Sequence, residues 1–211
     1  MGAESRGPRA KEQNPEIILA SASPRRATLL TQIGLPFRVC PSTLGEDGEA
    51  ALDHETPETC AARLALAKAR DVAARLDQGL IIGADTVVTC RGRILGKPRN
   101  GKEAQAFLLA LAGQTHRVVT GVAVVEAGSG RVEVDVAVTA VTMRPFDRQE
   151  AMRYVATGEP LDKAGAYGIQ GRGALLVEGI HGDYFNVVGL PLTLLARLLR
   201  GFGVDPWGRN G

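Results

Sequence analysis

The stretch Leu80 to Cys90, LIIGADTVVTC, constrains this chain more than any other. Apolar and β-branched side chains run through it without the alternation of a half-exposed strand. It therefore reads as a strongly apolar strand with a polar break at Asp85 and Thr86. Asp85 interrupts it. A carboxylate in such a run loses hydration and needs a partner, a metal or a task. If the strand ends or bends at Gly83, Asp85 stands at the rim of a sheet, where α/β proteins hold ligands. The plainer alternative is a strand-end aspartate that ties down a loop.

The rest of the chain supplies what such a strand needs as neighbours. Glu16 to Ala20 is a short apolar run and a predicted buried strand. In SASPRRATLLTQIG, Ser23 can cap a helix with Pro24 at its first position, and Gly34 stops it. PFRVC reads as a second strand. Thr56-Pro57-Glu58 opens an alanine-rich helix to about Leu76, and a further helix follows from about Lys102 to Ala112. HRVVTGVAVVEA and RVEVDVAVTAVTM flank the turn Gly128-Ser129-Gly130 and predict a long hairpin. Asp147 to Glu150 starts a helix to about Thr157 in capping-box fashion. The glycine-rich DKAGAYGIQGRGALLVEG contains at least one strand, and Pro191 opens the last helix. Helices interleaved with strands, plus one hairpin, give an α/β fold with a mixed central sheet. The expected organisation is a tail over 1–15, a single domain over 16–202 and a second tail over 203–211.

Composition narrows the function classes. With 25 basic and 23 acidic residues the net charge is +2, and aromatics make up 4%. Neither a nucleic-acid platform nor an anionic-membrane surface is expected from that balance, so any anion site must be local. Cys40, Cys60 and Cys90 form no C-x-x-C pair, which fits a reducing cytoplasm better than a disulfide or zinc framework. The first residues carry charge without an apolar core and do not read as a signal peptide, and no apolar run is long enough to span a bilayer.

Several segments carry candidate chemistry. Ser21 to Arg26 joins a strand to a helix start, where unpaired N–H groups, hydroxyls and the guanidiniums of Arg25 and Arg26 suit phosphate; an ordinary capped helix is the alternative. Gly92 to Pro98 is not a P-loop, because the glycine spacing is short by one and Pro98 stands where a hydroxyl would hold magnesium. Lys97 within it is either a phosphate-neutralising charge or an exposed loop lysine. Lys68, set among alanines, either approaches the protein body or snorkels to water. Tyr167 and Gln170 lie where glycines permit close approach, and either line a base pocket or belong to a tight structural loop. The Gln170 amide can donate to and accept from a uracil or thymine edge, provided its orientation is locked. Glu46 is either a second metal carboxylate or a solvated loop acid. His54, His116 and His181 share no ligand spacing and are expected to be structural or exposed.

Read in order, SASPRR, LALAKA, IGADTVV, LGKP, AGQTH, VTGVAVV, EPLDKAGAYGIQG and NVVGLPL resemble the Maf family of nucleotide pyrophosphatases, from Ile17 to about Leu199. The resemblance implies a Maf-type fold related to inosine triphosphate pyrophosphatases. It implies hydrolysis of a nucleoside triphosphate to monophosphate and pyrophosphate with a divalent cation, Mg2+ or Mn2+. By the same resemblance Asp85 is the proton acceptor. Ser23, Arg26, Lys68 and Lys97 form the phosphate-side set, and Asp85 with Glu46 faces the metal. The family usually has Asp-Glu where this chain has Gly45-Glu46. Arg25, Thr86 and Gln170 resemble the dTTP/UTP branch, whereas the 7-methyl-GTP branch tends to carry Trp, Gln and Glu; a neutral glutamine suits a pyrimidine and a glutamate a cationic methylated guanine. The competing readings are a 7-methyl-GTP or other altered-purine pyrophosphatase, and a non-catalytic nucleotide-sensing regulator of septum formation. The hairpin from Val118 to Val141 is apolar enough for a homodimer surface or for core, and the sequence leaves both open.

Overall fold

A computed structural model describes residues 15–44 and 55–208. Strands β1 (Ile17–Leu19), β2 (Arg38–Val39), β3 (Leu80–Cys90), β4 (Arg93–Leu95), β5 (Thr115–Glu126), β6 (Val132–Met143) and β7 (Val177–His181) form one mixed sheet. Helices α1 (Pro24–Gln32), α2 (Pro57–Ala73), α3 (Gly101–Leu111), α4 (Arg148–Val155), α5 (Tyr184–Val188) and α6 (Leu192–Gly201) surround it. The strand order is β2-β1-β3-β5-β6-β7, with β4 also paired to β3. β1 runs parallel to both β2 and β3, and the remaining pairs are antiparallel.

Local chemistry accounts for most boundaries. Pro24 opens α1, where its missing N–H is no loss. The side-chain oxygens of Thr56, Asn100 and Asp147 each accept from a backbone N–H three residues on, which caps α2, α3 and α4. Ser23 sits at the cap position of α1, but its hydroxyl makes no capping bond. The strand expected in PFRVC shrinks to two exposed residues, because only Ile18 and Leu19 of β1 are there to pair with it. α2 ends at Ala73, short of Leu76. The short α5, capped by Asp183, has no counterpart in the sequence reading; its β-branched Val187 and Val188 hide a five-residue helix.

β3 is covered on both faces, and its side chains from Leu80 to Ile82 are fully buried. On one face α2 lies directly on the sheet. A Cβ at Gly83 would stand 2.2 Å from the Ala65 carbonyl oxygen, and one at Gly121 would stand 2.2 Å from that of Ala61. Only glycine admits this approach. On the opposite face Leu29, Leu30, Leu190, Leu195 and Leu199 pack under one end of the sheet, with Val204 buried among them, and Leu108, Leu111 and Met143 pack under the other. Each such buried side chain contributes roughly 1.5–3 kcal/mol relative to exposure.

The expected break at Gly83 is absent. β3 runs without interruption from Leu80 to Cys90, held by β5 through register pairs from Leu80 with Glu126 to Thr89 with Arg117. The opening comes from its other neighbour. β1 pairs only as far as Ile82, and β4 takes over only at Val88. With β5 along one edge, the other edge of β3 from Gly83 to Val87 has no strand partner among the described residues, and Asp85 is at its centre. The rim is therefore the end of β1, not of β3.

Candidate active site

A cleft of about 460 Å³ opens at this gap. Because successive strand residues face opposite sides, Asp85 points toward α2 and Thr86 toward α1 and α5, so the cleft wraps around the free edge of β3. Ser23, Arg25, Arg26, Lys68, Asp85, Thr86, Lys97 and Gln170 all line it. These residues come from five separate stretches of chain, and the fold brings them together. Glu46 and His54 lie outside the described residues.

Asp85 is 7% exposed. Its Oδ1 accepts a hydrogen bond from Lys68 Nζ at 2.6 Å. The alanine-rich face of α2 explains this reach: small side chains and the two glycines under the helix bring it close enough for Lys68 to extend over the sheet rather than into water. Two charges removed from solvent this far require each other. Removing either charge takes a counterion from the other.

On the other side of β3, Arg26 is anchored by its guanidinium. Its Nε donates to the Gly189 carbonyl oxygen at 2.8 Å, Nη1 to Ser21 Oγ at 3.0 Å and Nη2 to Thr86 Oγ1 at 3.2 Å. Thr86 shares a hydrogen bond with Thr120 at 2.9 Å, and Thr120 donates to the Asn186 carbonyl oxygen. The Asn186 amide in turn donates to the Val118 carbonyl and to Thr139 Oγ1. A buried polar chain thus crosses β3, β5 and β6 and fixes the guanidinium from behind. Thr120, Thr139 and Asn186 are not among the residues singled out from the sequence above. For the two threonines the signal is the one that exposed Asp85, a polar side chain inside an apolar strand, in VVTGV and VAVTAV; Asn186 lies on the short α5 and carries no such signal.

The third wall is the turn-rich segment 159–176. Asp162 accepts from Arg25 Nη1 at 3.0 Å and from Lys163 Nζ at 2.6 Å, joining α1 to this wall across the cleft mouth. Partial burial would push the Asp162 carboxyl up, but the hydrogen bonds from Lys163 and Arg25 outweigh it and hold it below the usual range. Gln170 is exposed to the cleft. Tyr167 lines it too, but its hydroxyl turns away from the expected base pocket and bonds His116 Nε2 at 2.8 Å, with the rings edge to face. His116 is buried, as a structural histidine should be, and burial pushes its pKa down to about 4. His181 is exposed on β7.

Chemically, the cleft offers one carboxylate beside an ammonium, a helix start, and Arg25, Lys97 and Lys163 around them. The carboxylates among its described lining residues are Asp85 and Asp162, and Asp162 is neutralised from both sides. No three His, Cys, Asp or Glu side chains are gathered to hold a metal among the described residues. No described helix is long and apolar enough to cross a membrane.

The protein is thus of the α/β class, with a cleft that sets cations around a buried carboxylate. The family model for Maf-like proteins matches residues 16–202, and the chain belongs to that family. It is 57% identical over 194 residues to the dTTP/UTP pyrophosphatase of Moorella thermoacetica, covering 92% of this chain and 98% of that protein. It is 49% identical over 188 residues to the dTTP/UTP pyrophosphatase of Dictyoglomus thermophilum, covering 89% and 96%. A solved dITP/XTP pyrophosphatase from Mycobacterium abscessus superposes loosely, with a TM-score of 0.43 and 16% identity over 89% of this chain and 97% of that one.

Proposed function

We propose that this protein hydrolyses dTTP and UTP to the nucleoside monophosphate and pyrophosphate, with Asp85 as acceptor of the proton from the attacking water. The observation that carries this reading is the Asp85–Lys68 pair, held at the unpaired edge of β3 and open to a cleft lined with cations. The names of the Moorella and Dictyoglomus relatives supply the substrate class. Water attacks the α phosphorus in line with departing pyrophosphate while the Asp85 carboxylate takes its proton. Lys68 compensates that carboxylate before the proton moves. Arg25, Lys97, Lys163 and the start of α1 offset charge growing on the leaving oxygens; because they are already in place, little reorganisation accompanies the step. Arg26, anchored by Ser21, Thr86 and Gly189, sets the position of the phosphate loop. Gln170 meets the pyrimidine edge.

A divalent cation, Mg2+ or Mn2+, belongs to this reading. Magnesium is commonly held by one or two carboxylates together with substrate phosphates and waters, and the Asp85 carboxylate fits that mode. Asp85, with Glu46, would hold it, and when bound it neutralises phosphate charge.

The test is pyrophosphate release from UTP, dTTP, CTP and 7-methyl-GTP, with and without magnesium. Faster cleavage of UTP and dTTP, dependent on the metal, is expected. Preference for 7-methyl-GTP, or tight binding with no turnover, would overturn the assignment.

A further inference from the structure

Gln170 contributes to base recognition only if its stretch of chain stays put, and the structure shows what holds it. Glu159 and Tyr154 are not among the residues lining the cleft, yet between them they hold the chain on both sides of Gln170. Two residues before it, the Gly168 N–H donates to Tyr154 Oη at 3.2 Å. Two and three residues after it, the Arg172 and Gly173 N–H groups donate to Glu159 Oε2 and Oε1 at 3.0 and 3.1 Å. The two anchors are joined, because Tyr154 Oη donates to Glu159 Oε1 at 2.9 Å. Tyr154 is itself 6% exposed and packed among Leu108, Ala151 and Leu176.

The glycines belong to the same device. A Cβ at Gly173 would stand 2.2 Å from the Gly168 carbonyl oxygen and 2.5 Å from Tyr154 Oη; one at Gly171, where φ is +71°, would stand 3.0 Å from Glu159 Oε2. Side chains at either place would push the loop off its anchors. Burial would raise the Glu159 carboxyl, but the hydrogen bonds from Gly173, Arg172 and Tyr154 outweigh it and keep it ionised. All three donors need an acceptor, and an ionised carboxylate is acceptor on both oxygens. A glutamine there would turn an NH₂ group toward a donor.

We infer that Glu159 and Tyr154 are positioning residues for nucleobase recognition, fixing the loop from Gly168 to Gly173 so that Gln170 meets the base from one place. This rests on the base-reading role proposed for Gln170. A hydrogen bond to a base is sensitive to sub-ångström placement, whereas the phosphate-side cations Arg25, Lys68 and Lys97 come from other segments, and Lys163 donates to the main-chain carbonyl of Glu159, which neither anchor variant changes.

The experiment compares the affinities of UMP and ribose 5-phosphate by titration calorimetry, since these probes differ by the base and neither needs turnover. In the wild-type protein UMP is expected to bind about tenfold or more tighter. In Glu159→Gln, and in Tyr154→Phe, which removes a single oxygen, that ratio is expected to fall to about threefold or less with ribose 5-phosphate affinity unchanged. Gln170→Ala should do the same. A wild-type ratio in both anchor variants, with the ratio lost in Gln170→Ala, would overturn the anchoring role and leave Gln170 as the base reader. Equal loss of both ligands in the anchor variants would reduce the device to general structure and overturn the inference. An unchanged ratio in Gln170→Ala would remove the base-reading role and the anchoring role with it.

Discussion

Asp85 and His116 are both polar side chains set into strands, and the fold treats them differently. Asp85 is met by a cation and opens on a cleft; His116 is met by a phenol and closed off. His116 Nδ1 is buried with no hydrogen-bond partner among the described residues, so a protonated ring would leave one N–H unpaired. Keeping that ring neutral links stability to pH. Its folded pKa of about 4 lies below the ordinary 6.5, so the folded protein takes up this proton less readily than the unfolded chain. The stabilisation is present above pH 6.5 and is lost progressively as pH falls toward 4, by about 3 kcal/mol at the lower end. His116→Gln should flatten this part of the acid limb in denaturant unfolding followed from pH 7 to pH 4. Parallel limbs for variant and wild type would show that His116 is not the group responsible.

At the level of elements, the contact of α2 with β3 and β5 sets the distance between Lys68 and Asp85. Gly121→Ala places a methyl group against the Ala61 carbonyl, and the helix must move. The expected cost is about 1–3 kcal/mol of stability. Pyrophosphate release should also fall about tenfold or more, although neither residue of the pair is changed, because small misplacements at a reacting group weigh heavily. Gly179→Ala, which meets open space, serves as the control and should match wild type in both assays. Retained activity in a destabilised Gly121→Ala would separate the helix position from the chemistry. The elements themselves were legible in the sequence where one signal dominated. The apolar run on either side of Asp85 marked β3, the glycine turn marked the hairpin of β5 and β6, and Pro24 and Asp147 marked helix starts. What escaped was non-local. No local pattern says that β1 stops at Ile82 while β3 continues, that Gly189 lends its carbonyl to Arg26, or that Asp162 reaches Arg25 from 137 residues away. Tyr167 was placed in the cleft, but the direction of its hydroxyl is decided by His116 on a distant strand.

Taken whole, the molecule concentrates its function at a place where a continuous sheet changes partners. β3 is parallel to β1 for three residues and antiparallel to β5 for ten, and the cleft sits where the first pairing ends and the second goes on. With a nearly balanced net charge of +2, the proposed function requires that attraction for a triphosphate come from the cations of this cleft rather than from the surface at large. The account turns on Asp85 as proton acceptor, and the rate of pyrophosphate release from UTP by Asp85→Asn tests it most directly. Asparagine keeps an oxygen for Lys68 but cannot take a proton from water. With folding verified by a cooperative thermal transition above the assay temperature, turnover at saturating UTP is predicted to fall by about a hundredfold or more; a folded variant within a few-fold of wild type would contradict the account.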